Sequence, residues 1–215
     1  MEERQPQTDL WSQFKTPLIV MGSFIALLWA IEIVDQFILG CTVDSFGIQH
    51  CPLDNFGVRP RTITGLWGIL LAPLLHGGFK HLFANTGPLF ILGCIIMFSR
   101  PLKDFFKVSF IVTVIGGFGT WLIAPAGQVH LGASGLIFGY FGFLVLSAYF
   151  ERSCRAIVIA LVVLLLYSGI LWGALPQGDG ISWQTHLFGF IGGCFSAYLI
   201  YHQNNNFDII VHNEY

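Results

Sequence analysis

Four residues of this sequence combine a nucleophile, a base and neutral hydrogen-bond donors: Ser134, His186, Asn85 and His81. Ser134 belongs to His130-Leu131-Gly132-Ala133-Ser134-Gly135, where a polar turn runs into an apolar stretch. Glycine weakens a helix by about 1 kcal/mol. Gly132 and Gly135 around a serine therefore mark a place where another backbone approaches closely and the hydroxyl stays accessible. A serine becomes a nucleophile when a base takes its proton, and His186 is the candidate base. Asn85 and His81, with the backbone N–H of Ser134 at a helix start, are donors suited to a developing oxyanion. No carboxylate completes a triad well. Asp179, in the loop before His186, is the nearest, whereas Glu32 and Asp35 near the outer end of the first apolar segment are expected to reach interfacial water. The G-x-S-x-G elbow of soluble hydrolases is not formed, because Leu136 takes the last position. Read alone, Gly132–Gly135 is the small-residue start of a packed membrane helix. Its chemical meaning depends on what lies at the same depth.

The elements that must set this depth are apolar. Of 215 residues, 54% are hydrophobic and 10% charged, against about 25% charged in soluble domains. The composition is that of an all-α polytopic membrane protein, and a net charge of −2 points to no nucleic-acid partner. Six apolar segments, about 17–39, 82–98, 105–124, 134–150, 156–172 and 183–201, are each long enough to approach or cross a core of about 30 Å at 1.5 Å per residue. The predicted organisation is a cytoplasmic N-terminal segment (1–16), a six-helix membrane domain (17–201) and a cytoplasmic tail (202–215). Residues 1–16 lack the pattern of a cleaved signal peptide. The long loop 40–80 is too apolar for a solvated linker and is expected to fold on itself at the interface. With the N-terminus inside, Arg4, Lys15, Arg100, Lys103, Lys107, Arg152 and Arg155 lie on the inner side and Arg59, Arg61 and Lys80 on the outer. Seven against three places both termini in the cytoplasm.

Depth then follows from helix rise. Ser134 lies 17 residues before Glu151, His186 lies 16 before His202, and Asn85 lies 15 before Arg100. At 1.5 Å per residue all three stand about 22–25 Å above the inner face, with His81 about one turn higher. Ionisable and amide groups at such depth are costly and are functional candidates by default. Gly189 and Gly193 share nearly one helix face with His186, a small face that lets the sixth segment press on the fourth. Phe138, four residues after Ser134, lies on the serine's face and can stack on His186. A transporter using this polar layer would need polar residues to continue inward, yet the fourth segment stays apolar below Ser134 apart from Tyr140.

Of five cysteines, Cys94, Cys154 and Cys194 read as packing residues. Cys41 and Cys51 enclose nine residues of an outward loop and are expected to be able to form a disulfide. There is no C-x-x-C spacing for a metal.

Taken together, Gly132-Ala133-Ser134-Gly135, His81-Leu82-Phe83-Ala84-Asn85 and His186-Leu187-Phe188-Gly189 with Gly193 resemble the rhomboid family of intramembrane serine proteases, over about 60–200. The resemblance implies a six-helix bundle in a bacterial plasma membrane or one derived from it. It implies a Ser134–His186 dyad with His81 and Asn85 around the oxyanion, acting on transmembrane protein substrates through an acyl-enzyme, with no metal or organic cofactor. It further implies that loop 40–80 is membrane-embedded, that the fifth segment with loop 173–182 gates the site, and that His76 is structural. Phe138 stands where relatives often have tyrosine, and Arg100-Pro101 stands near a glutamate of some bacterial members. The rival expectation is an inactive relative that binds or escorts transmembrane proteins; loss of Ser134 or His186 would mark it, and both are present.

Overall fold

Helix α5 (Ser134–Glu151) is apolar around its whole circumference, and such a helix must be buried. In the computed structural model it is: Leu136, Ile137, Phe138, Tyr140, Phe141, Phe143 and Leu144 are all removed from the surface. The structure describes residues 10–45, 49–176 and 182–213. Around α5 stand α3 (Phe79–Ser99), α4 (Leu102–Ile123), α6 (Cys154–Tyr167) and α7 (Trp183–Asn213), with α7 making the most extensive contact. Helix α1 (Leu10–Ile33) packs outside on α3 and ends in a wider π turn, Val34–Gly40. Large apolar side chains such as Phe83, Phe110 and Leu165 stay exposed on the outside of the bundle, where acyl chains are the solvent.

Among the described residues, five helices are long and apolar enough to cross a membrane: Phe14–Gly40, Phe79–Ser99, Leu102–Ile123, Ser134–Glu151 and Cys154–Ala174. They correspond to the first five expected segments. The sixth, α7, is 31 residues long but is not among them. Gln184, Thr185 and His186 in its first turn and the run Gln203-Asn204-Asn205-Asn206 dilute its apolar middle.

The loop between α1 and α3 carries structure of its own. It carries a short antiparallel ribbon, β1 (Thr42–Val43) with β2 (Gln49–His50), a 3₁₀ turn at Pro52–Phe56, helix α2 (Gly65–Leu71) against α4, and a further 3₁₀ turn at Ala72–Leu74. Cys41 and Cys51 are disulfide-bonded with Cα atoms 4.3 Å apart. Glu32 and Asp35 do not reach interfacial water: each is 2% exposed. Glu32 accepts from Gln36 Nε2 at 2.8 Å within its own helical segment, and Asp35 accepts from the Leu53 N–H at 2.9 Å, so Asp35 holds the loop down. Arg61, with φ of 57°, donates to the carbonyls of Leu122 and Ala124 and so caps the C-terminus of α4. Arg100 pairs with Glu151 and ties the lower ends of α3 and α5. Of the three remaining cysteines, Cys94 is buried and Cys194 half-buried, but Cys154 is exposed at the start of α6 and is no packing residue.

Candidate active site

Ser134 is the first residue of α5, and His186 lies in the first turn of α7. The two helices meet through glycine. A Cβ on Gly189 would lie 2.3 Å from the Gly135 carbonyl oxygen, and one on Gly193 would lie 1.9 Å from that of Gly139. Only hydrogen fits at either position, and this closeness brings Ser134 Oγ to 2.8 Å from His186 Nε2.

The imidazole is oriented from behind. Its Nδ1 is 2.7 Å from the carbonyl oxygen of Gly173, in the 3₁₀ turn Ser168–Ala174 that follows α6. A carbonyl can only accept, so Nδ1 carries the proton and Nε2 presents its lone pair to the serine hydroxyl. This is the role a carboxylate plays in a triad. The contact to Gly173 leaves no mark in residue type, because any residue supplies a carbonyl. Asp179 lies outside the described residues, as do the other residues of 177–181 in the expected gate. Phe138 stacks on the His186 ring, with centroids 4.2 Å apart and planes 6° from parallel.

The turn before Ser134 is set by Gly132, whose φ of +119° is a conformation that side-chain-bearing residues rarely adopt. A Cβ there would lie 2.7 Å from His81 Cε1 and 3.7 Å from Asn85 Nδ2, so the turn presses on both residues from α3. Asn85 is buried, and its Nδ2 has no hydrogen-bond partner among the described residues. His76 is 1% exposed; its Nε2 accepts from the Ala133 N–H at 3.3 Å, and its ring meets His81 edge-on at 5.2 Å. Burial, with the His81 ring beside it, holds the His76 pKa down at about 3. It is a neutral strut under the serine turn.

A second polar cluster abuts the site, for which residue type alone supplied no role. His130 pairs with Val58 through both backbone groups, at 2.8 and 2.9 Å, and its Nδ1 lies 2.7 Å from Ser182 Oγ. Ser182 contacts Thr185 at 2.6 Å, and Thr185 contacts Thr120 at 2.9 Å. The available signal was Ser182-x-x-Thr185 just before His186, an arrangement common at helix starts.

The site can activate a hydroxyl, and it presents a buried amide donor beside that hydroxyl. In comparisons with known proteins, the Rhomboid domain matches residues 64–203. An uncharacterized protein of Mycobacterium tuberculosis (Rv1337) is 42% identical over 209 residues, covering 91% of this chain and 82% of that protein. The putative rhomboid protease YdcA of Bacillus subtilis is 32% identical over 152 residues, 67% of this chain and 71% of that one. The rhomboid protease GluP of the same organism is 28% identical over 180 residues, 81% of this chain and 34% of its own length.

Proposed function

The chain belongs to the rhomboid family, and from that membership and the dyad geometry we propose that it is an intramembrane serine protease cutting transmembrane proteins in or beside their membrane segments. In this reading six helices span the bilayer, α7 included, with both termini in the cytoplasm. Ser134 Oγ attacks the scissile carbonyl while His186 Nε2 takes its proton. The Gly173 carbonyl holds Nδ1–H and stabilises the imidazolium that forms. The tetrahedral oxyanion is met by Asn85 Nδ2, by the Ser134 N–H, which has no intrahelical partner in the first turn, and by His81. Protonated His186 then gives its proton to the leaving amine, an acyl-enzyme on Ser134 remains, and water hydrolyses it with His186 again as base.

The observation that carries this reading is the 2.8 Å contact between Ser134 Oγ and an imidazole nitrogen whose lone pair is directed by the Gly173 carbonyl. The test is reconstitution in lipid vesicles with a transmembrane substrate, together with labelling by a fluorophosphonate. Wild type is expected to cleave and to be labelled, and Ser134→Ala to do neither. A folded wild type that neither labels nor cleaves any of a panel of transmembrane segments would instead fit a protein that binds or escorts such segments.

A further inference from the structure

The hydroxyl row beside the dyad has a direction. Thr120 Oγ1 lies 2.7 Å from the Gly116 carbonyl oxygen, and a carbonyl only accepts, so the single hydroxyl hydrogen of Thr120 is spent there. Thr185 must then donate to Thr120 across 2.9 Å, and Ser182 must donate to Thr185 across 2.6 Å. Ser182 has no hydrogen left, so His130 Nδ1 donates to Ser182 Oγ across 2.7 Å. The row runs one way, from His130 to the Gly116 carbonyl, and fixes the His130 tautomer with hydrogen on Nδ1. The other nitrogen, Nε2, is buried and has no hydrogen-bond partner among the described residues. The ring borders a cavity of about 20 Å³ that also touches Gly132, Gly135 and Thr185. Burial lowers the His130 pKa, in keeping with a neutral ring.

The position of His130 gives this row a consequence. It lies four residues before Ser134, on the same turn, and its backbone is bridged to Val58 of the first loop. Its side chain holds Ser182, the residue that enters α7, whose carbonyl accepts from the His186 N–H at 3.2 Å. Thr185, the next link, is the neighbour of His186. One side chain therefore couples the turn that carries the nucleophile to the turn that carries the base, without touching either reacting atom. We propose that His130 is a positioning residue that sets the start of α7, and with it His186, against Ser134 through the donor row Ser182–Thr185–Thr120. As it concerns turnover, this rests on the protease reading above. As it concerns the placement of α7, it does not.

The test compares wild type with His130→Ala, His130→Asn, Ser182→Ala and the double variant His130→Ala/Ser182→Ala, all as the full chain in vesicles. None of these substitutions removes a backbone group of the bridge to Val58. His130→Ala is expected to lower kcat by about 10- to 100-fold, the scale of a misplaced catalytic group, with KM changed by no more than about twofold. Asn, whose amide can donate where Nδ1 does, should recover most of the rate. Ser182→Ala should resemble His130→Ala, and the double variant should be no slower than either single one, because both cut the same row. Losses that multiply in the double variant, or an Asn variant as slow as Ala, would overturn the proposal. A second readout needs no activity: in a Ser134→Ala background, amide exchange at 183–187 should speed up with His130→Ala and return with His130→Asn. Exchange that changes no more there than in the rest of the bundle would also overturn it. If wild type fails to cleave or label, the protease reading falls, and the exchange measurement still decides the role of His130.

Discussion

At His186 the two ring nitrogens have partners of different kind, a carbonyl that can only accept and a hydroxyl that can donate, and this difference leaves Nε2 as the acceptor that faces Ser134. Ser134→Ala and His186→Ala should each abolish cleavage of a reconstituted substrate while the thermal midpoint stays near that of wild type. In the protease reading Asn85→Ala removes one oxyanion donor and should cost about 100-fold in kcat. Phe138 offers only its ring face, so Phe138→Leu should cost about 2- to 10-fold, the scale of one aromatic pair. His76 gives a prediction in pH. Its unfolded pKa is about 6.5, and burial holds the folded value at about 3. Between these values the unfolded chain binds a proton that the native state refuses, so stability falls as pH drops below 6.5 and is complete above it. Thermal midpoints in detergent should drop between pH 7 and pH 4.5, and His76→Asn should lower the midpoint at pH 7 while narrowing that drop. An equal drop in the variant would mean that other groups, the buried His130 among them, carry the pH dependence.

Helices α5 and α7 are held together by what their facing residues lack. Gly193→Ala would place a methyl 1.9 Å from a backbone oxygen of α5, and Gly189→Ala one at 2.3 Å. Backbone cannot yield as a flexible side chain does, so α7 must move away. Overpacking of this kind costs about 1–3 kcal/mol, and it falls on the helix pair that joins Ser134 to His186. Both variants should lose fluorophosphonate labelling to a greater extent than their lowered thermal midpoints would account for. Labelling at the wild-type rate in Gly193→Ala would show that the pair tolerates separation.

Across the whole molecule, the first loop is fastened to the bundle at several points. These are the Cys41–Cys51 disulfide, the buried carboxylate of Asp35, the Arg61 cap on α4 and the Val58–His130 bridge. Closing a ring of this size is worth on the order of 2–3 kcal/mol in the chain-entropy model. Maleimide labelling of the denatured protein should count two more thiols after reduction than before. Reduction should lower the thermal midpoint and leave cleavage largely intact, because the remaining fastenings reach the serine turn independently of the disulfide. Abolished cleavage would place the disulfide on the path that supports the site.

The membrane class, five of the spans, and the shared depth of Ser134, His186 and Asn85 were legible in the sequence. Apolar periodicity and a fixed rise per residue determine how far along its helix each group stands. The small face of Gly189 and Gly193 was legible for a similar reason, since a helix fixes which residues share a side. Four things were decided by the tertiary structure alone. Glu32 and Asp35 lie under a loop rather than in water, because Leu53 folds back to donate to Asp35. Cys154 is exposed, because α6 turns only Ala156, Ala160 and Val163 inward. The Gly173 carbonyl orients His186, and backbone groups carry no signature in residue type. The donor row from His130 to Gly116 joins residues up to 65 positions apart, and its direction exists only once the last hydroxyl meets a carbonyl. Sequence fixes how far along its own helix a group stands; which groups meet across helices is set by packing.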